Sequence, residues 1–281
     1  MTITYDPNHP NYLNEADLRE ELTRVYDLCH GCRLCFKYCT SFPTLFSYVD
    51  AHDDQDAGRL TPAQQDQVVD ECFQCKLCYI NCPYIPGLHE WELDFPRLML
   101  RADATRQANG QVPLRKRMTT TMMGHTDALG KVATTFSPIA NAVMGAEPGS
   151  LVRKVVEKTS GVSSQRLLPP FAKSRFSTWF KKHVSPVMTK KQGKVALFPT
   201  CLVEYQEPGI GKDLINVYEK NNVECSLAEG ASCCGAPYLH SGDVEQFKKV
   251  GAKNVEALAA AVRAGNDIVV PQPTCGYILK K

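Results

Sequence analysis

At 281 residues the chain has room for about two domains and a sizeable core, and its 22% charged and 43% hydrophobic residues are those of an ordinary globular protein. No apolar run reaches the ~18 residues a spanning helix needs, and no basic-then-apolar leader opens the sequence. Thirteen cysteines cannot all pair and suit a reducing compartment, so a disulfide-stapled secreted domain is excluded. A cytoplasmic protein, free or held peripherally on the cytoplasmic face of the inner membrane, is expected.

The net charge of +2 hides a polarised chain. Residues 101–194 hold 17 Lys and Arg against 4 Asp and Glu, a surplus of +13 that leaves −11 for the rest.

Residues 1–28 begin as an extended lead-in containing Pro7 and Pro10. A helix follows, with Asn14 as N-cap and Leu18, Leu22, Val25 and Leu28 at helical spacing. Its acidic residues Glu15, Asp17, Glu20 and Glu21 are expected on a solvated face.

Next comes a four-cysteine pattern, Cys29-x₂-Cys32-x₂-Cys35-x₃-Cys39, which returns as Cys72-x₂-Cys75-x₂-Cys78-x₃-Cys82 before Pro83. In such a run three thiolates wrap one iron–sulfur cube and the fourth ligates the other cluster. Cys29, Cys32, Cys35 and Cys82 are therefore assigned to one [4Fe-4S] cluster, and Cys72, Cys75, Cys78 and Cys39 to a second. Zinc sites use separated C-x₂-C pairs without a third cysteine at the same interval. Haem attachment needs His directly after C-x-x-C, where this chain has Arg33, Phe36, Lys76 and Tyr79.

The 32 residues between the runs carry an acidic loop, Asp50 to Asp56, expected to be solvated, and then Thr61-Pro62-Ala63-Gln64. Thr at the N-cap, Pro at N1 and Gln at N3 make a capping box. A helix through Val68 and Val69 would deliver Cys72, which points to an α-helical ferredoxin domain over residues 1–96.

Residues 97–193 read as a basic, mostly helical linker or docking region. Phe176, Trp179 and Phe180 beside Arg175, Lys181 and Lys182 would suit an anionic membrane surface, with a basic strap that docks onto a partner subunit as the plainer alternative. The cluster loops give no reason to expect nucleic acid.

From Lys194 the texture is α/β. Strands are expected at 194–200, 223–227 and 267–270, with helices at 209–221, burying Leu214, Ile215 and Val217, and at 243–263, capped by Ser241 or Asp243. Parallel strands joined by helices gather ligands at their carboxyl ends. Cys201, Cys233, Cys234 and Cys275 fall at or beyond three such ends and make a third candidate metal site. Cys225, mid-strand, is expected to be structural. The fold class is thus α+β overall.

Cys201, 31 residues, Cys233-Cys234-Gly235, then a further Cys after a strand resembles the CCG (cysteine-rich) domain of the heterodisulfide reductase B subunit. The two-cluster run before it resembles the order in the C subunit of anaerobic glycerol-3-phosphate dehydrogenase and in glycolate oxidase iron–sulfur subunits. Two departures stand out. The family closes with C-x-x-C where this chain has Gln272-Pro273-Thr274-Cys275, so a five-thiolate cluster would lack a ligand, leaving a four-cysteine cluster or zinc. The family also has two CCG repeats, so the domain at 194–281 is expected to be the first repeat only and incomplete.

No Gly-x-Gly-x-x-Gly follows a strand, so electrons must come from another protein. The resemblance implies an electron-transfer iron–sulfur subunit, relaying electrons from a flavoprotein dehydrogenase to a quinone or another membrane acceptor in anaerobic respiration. The alternative is a catalytic subunit that reduces a disulfide or related sulfur substrate at the CCG site.

Overall fold

The computed structural model describes residues 4–188 and 190–280. The first three residues of the expected lead-in lie outside them. The chain folds as two compact units, Met1–Val112 with Leu239–Val244, and Pro113–Tyr238 with Glu245–Lys281.

The first unit is helical. Helix α1 (Glu15–Cys32) starts where Asn14 Oδ1 accepts from the Asp17 N–H at 3.0 Å. Helix α2 (Ser41–Asp50), a 3₁₀ turn (Ala57–Arg59), α3 (Pro62–Asp70), α4 (Leu77–Asn81) and α5 (Phe95–Ala108) follow. The capping box of α3 is formed: Thr61 Oγ1 accepts from Gln64 N–H at 3.3 Å, and Gln64 Oε1 accepts from Thr61 N–H at 2.9 Å. Leu18, Leu22 and Val25 of α1 bury with Phe42, Leu45, Val68, Leu98 and Met99 in one apolar core. Helix α5 thereby carries core residues of this unit past residue 97.

The solvated acidic face of α1 needs correcting. Glu20 is exposed, but Glu21 is fully buried, accepting from both Arg24 Nε and Nη2 at 2.7 Å. A buried carboxylate without such a partner would be costly. Asp17 likewise accepts, at 2.8 Å, from Arg101, itself fully buried and donating to the carbonyls of Asn11 and Tyr12. Cations brought in by α1 itself and by α5 turn acids that look solvent-facing in the sequence into core partners.

The second unit opens with α6 (Leu114–Gly124), α7 (Thr126–Thr135), α8 (Ser137–Met144) and α9 (Leu151–Ser160), then α10 (Phe176–Phe180). Its sheet comprises β1 (Gly193–Leu197), β2 (Val223–Leu227) and β3 (Asp267–Val269), all parallel in the order β2-β1-β3, with Val195 opposite both Cys225 and Asp267. The helices between and after the strands are α11 (Cys201–Tyr205), α12 (Pro208–Lys220), α13 (Ala236–His240), α14 (Val244–Arg263) and α15 (Pro273–Lys280). Among the described residues no helix is long and apolar enough to cross a membrane.

Two expectations fail here. Phe176 is fully buried against Leu197, Val203 and Ile215, with Trp179 and Phe180 packed on it, so this aromatic group closes a core instead of facing a membrane. Gly211 explains the fit: a Cβ there would lie 2.6 Å from the Phe176 ring. On α12 Ile215 is buried, but Val217 points outward and is exposed.

Candidate metal centres

In the first unit the two cysteine runs share one backbone feature, a left-handed residue directly after the second cysteine. Helix α1 runs through Cys29 to Cys32 and stops because Arg33 turns left-handed, at φ 53°, with its N–H returned to the Cys29 carbonyl at 2.8 Å. In the second run Lys76, also directly after the second cysteine, is left-handed at φ 64° and opens α4, which carries Cys78. Such a conformation costs a non-glycine residue about 1–2 kcal/mol, so surrounding contacts must hold both turns. At the first, Arg33 donates to the His30 carbonyl at 3.1 Å and pairs with Asp50, so the acidic loop is partly spent on fixing the cysteine turn.

The turns bring thiols from distant sequence together. One cavity is lined by Cys29, Cys32, Cys35 and Cys82, walled by Leu28, Phe42 and Tyr84, with no carboxylate or imidazole among its lining residues. Burial raises the Cys29 and Cys35 thiols, the latter to about 12, and neighbouring thiols, Cys82 among them, add to the rise. Cys39, Cys72, Cys75 and Cys78 gather beside them. Burial lifts Cys72 to about 11 with added repulsion from Cys39 and Cys75, and raises Cys78 with repulsion from Cys35, Cys72, Cys75 and Cys39. The two groups therefore adjoin.

Backbone donors oppose that penalty. Cys39 sits just ahead of α2, whose Ser41 and Phe42 N–H groups point at its sulfur; Gln74 N–H serves Cys72 and Tyr84 N–H serves Cys82. Helix N-termini and free N–H groups favour a thiolate. The Gln74 amide also reaches Cys72 Sγ at 3.7 Å while donating to the Pro96 carbonyl at 3.0 Å.

In the second unit the sheet delivers the cysteines. Cys201 opens α11 after β1, Cys233 and Cys234 follow β2, and Cys275 lies in α15 after β3. Cys233, Cys234 and Cys275 are buried, and the Cys234 thiol is within hydrogen-bonding reach of both of the others. Cys234, lowered by the Cys233 bond but raised by the Cys275 bond and by burial, ends at about 11. The hydrogen bond to Cys234, then burial, raises Cys233; burial, then Cys233, raises Cys201. Gly235 follows at φ 87°, where a Cβ would also lie 2.9 Å from Phe247, so the glycine is required twice over. At the position where a fifth cysteine would stand, Gln272 Oε1 accepts from the Cys275 thiol at 3.7 Å. Cys225 is apart from this group, on β2, its thiol donating to the Val223 carbonyl at 3.6 Å.

Two residues that hold this site give no signal in the sequence. Asn254 of α14, buried, accepts from Ser232 N–H at 2.8 Å and donates to the Cys233 carbonyl at 2.9 Å. Asp127 of α7 accepts from Cys233 N–H at 3.0 Å and from the Tyr205 hydroxyl at 3.1 Å. Both act across long sequence separations, which local periodicity does not record.

Thiol-only surroundings fit iron–sulfur chemistry. Among the described residues no three His, Cys, Asp or Glu side chains close to the spacing of a single metal ion.

A parallel sheet whose strand ends converge cysteines, with a Cys-Cys-Gly turn after the second strand, defines a cysteine-rich domain. Residues 195–280 match the CCG cysteine-rich domain family, so the chain carries a CCG domain. It is similar to the C subunit of anaerobic glycerol-3-phosphate dehydrogenase from Escherichia coli (strain K12), 30% identical over 57% of this chain and 39% of that one. It is also similar to lactate utilization protein A of Shouchella clausii, 35% identical over 30% of this chain and 34% of that one. The chain thus spans well under half the length of these relatives. No solved structure matches it.

Proposed function

We propose that the chain is an electron-transfer iron–sulfur component that relays single electrons between a flavoprotein dehydrogenase subunit and a quinone or other membrane acceptor. Cys29, Cys32, Cys35 and Cys82 would hold one [4Fe-4S] cluster, and Cys39, Cys72, Cys75 and Cys78 the other. The carrying observation is the cavity in which Cys82, from the second run, completes the thiol lining begun by the first. When bound, the clusters supply reversible one-electron chemistry. The protein's part is to exclude water with Leu28, Phe42 and Tyr84, to hold the turns through Arg33 and Lys76, and to aim backbone N–H groups at Cys39, Cys72 and Cys82, which stabilises the more negative state.

Cys201, Cys233, Cys234 and Cys275 would hold a third cluster or zinc. Gln272 in contact with Cys275 supports a four-thiolate site and weighs for relay over reduction of a sulfur substrate there. With Phe176 buried, one apolar surface that could dock is on α7 and α8, where Leu129, Val132 and Ile139 are exposed, with Phe136 between the two helices, beside Lys131. This face supports contact with a partner subunit or the cytoplasmic face of a membrane.

Anaerobic reconstitution tests the assignment. A first unit with eight thiolate ligands should bring about eight irons. Cys82→Ser should alter the same paramagnetic signal as Cys32→Ser and leave that altered by Cys75→Ser intact. An iron content near four, or Cys82→Ser tracking Cys75→Ser, would overturn the assignment.

A further inference from the structure

Beside the cysteine group of the second unit lies a cavity of about 910 Å³, within the roughly 300–1,000 Å³ typical of small-molecule sites. It opens past the carboxyl ends of β1 and β2, from Pro199 on one side to the loop Ala228–Ser232 on the other. Parallel sheets collect ligands there, because the strands stop and the loops are free to shape themselves to a guest. Gly230 in that loop is left-handed at φ 82°, and a side chain added there would meet only the Ala257 methyl, at 3.8 Å.

Charge is what distinguishes this cavity. Lys131 of α7, Arg175 ahead of α10, Lys181 after it and Lys253 of α14 all line it. None of these side chains takes part in an ion pair or hydrogen bond among the described residues. The acids in the wall are differently placed. Asp127 has its Oδ1 and Oδ2 occupied by the Tyr205 hydroxyl and the Cys233 N–H. Glu204 is buried, and its two oxygens accept from Ser177 Oγ at 2.6 Å and Ser177 N–H at 2.9 Å. Each of these oxygens already accepts a hydrogen bond from the protein, while Glu229 is exposed at the rim. Four cations against three acids leave only a small formal surplus, but the cations are the groups left free to grip a guest. Phe180 and Tyr205 add apolar wall.

We propose that this cavity binds a small polyanion, a molecule bearing phosphate or two carboxylates, through Arg175, Lys131, Lys181 and Lys253. Arg175, half-buried, is the positioning anchor, since a guanidinium matches both oxyanions with two parallel donors. The three lysines supply attraction around it. Asp127 links this wall to the backbone of Cys233, so a bound anion adjoins the candidate metal site without entering it. The site stands independently of the relay assignment, because none of its four cations touches a cysteine.

Calorimetric titration of the full chain, kept anaerobic, decides the matter with pyrophosphate and malonate as separate probes. Pyrophosphate binding alone marks a phosphate site, malonate binding alone a dicarboxylate site, and either supports the proposal. Arg175→Gln should weaken the bound probe about tenfold or more, the value of one charged hydrogen-bonded contact. Lys131→Gln and Lys253→Gln, at exposed positions where folding is not at stake, should each weaken it by a smaller factor, and they carry the test if Arg175→Gln does not fold. Lys158→Gln, outside the cavity, should leave affinity unchanged. Absence of binding by both probes at millimolar concentration, or an equal loss with Lys158→Gln, would overturn the proposal.

Discussion

The two cysteine groups of this protein are built in opposite ways. In the first unit, three thiols of each set lie within seven consecutive residues and the turn between them is fixed locally, by Arg33 in one run and Lys76 in the other. In the second, the four thiols come from the ends of three strands, and a parallel sheet must exist before they can meet. Exposure differs accordingly. Cys32 and Cys75 are exposed at the edge of a large helical core, whereas Cys233, Cys234 and Cys275 are buried. A local turn can leave a thiol of its set at the surface, as both runs do. The group made by topology keeps three of its four thiols buried and is held by distant residues such as Asn254 and Asp127.

Alkaline pH should produce the largest effect, because it acts on both groups at once. The folded thiols are raised, Cys35 to about 12 and Cys72 and Cys234 to about 11, above an unfolded value near 8.5. The folded protein then binds more protons than the unfolded one, so this stabilisation is complete below about pH 8.5 and is lost as pH rises through 11 to 12. Metal-free protein should lose denaturant resistance over that window, while metal-loaded protein, its thiolates already deprotonated, should not. Equal alkaline sensitivity of the two forms would remove the thiols as its cause.

Leu22→Ala should cost about 2–5 kcal/mol in urea unfolding, since Leu22 is fully buried in the core on which the first unit's turns rest. Asn254→Ala sharpens the contrast with a cost of about 2–4 kcal/mol, because it strands Ser232 N–H and the Cys233 carbonyl in a buried position. It should also speed alkylation of Cys233 in metal-free protein, whereas Leu22→Ala should not. If Asn254→Ala left both stability and Cys233 reactivity unchanged, the loop would be held by something else.

What the sequence discloses follows the same division. The capping box at Thr61, the Asn14 cap, the apolar stripe of α1 and the three strands are local patterns, and each is present. The CCG domain is legible because Cys201, Cys233, Cys234 and Gly235 keep their spacing across a strand and a helix. Burial of Glu21 is not legible in the same way: it looks like one more solvent-facing acid of α1, and nothing in the pattern announces that Arg24 will hold it from within. Phe176, Trp179 and Phe180 mislead for a related reason. A cluster of aromatics between cations has the same composition whether it faces lipid or Ile215, and the small side of Gly211 decides which.

Arg101 has a consequence in time. Its buried guanidinium ties Asn11, Tyr12 and Asp17 to α5, so the first helix cannot be locked in place until residue 101 has left the ribosome. At roughly 5–20 residues per second, synthesis from Cys29 to Arg101 takes about 4–14 s. For that interval the thiols of the first run precede the helix that steadies them, and for most of it they precede the closing thiol Cys82 as well. A nascent chain is then at its most vulnerable to oxidation, because its thiols are made before the core that shelters them.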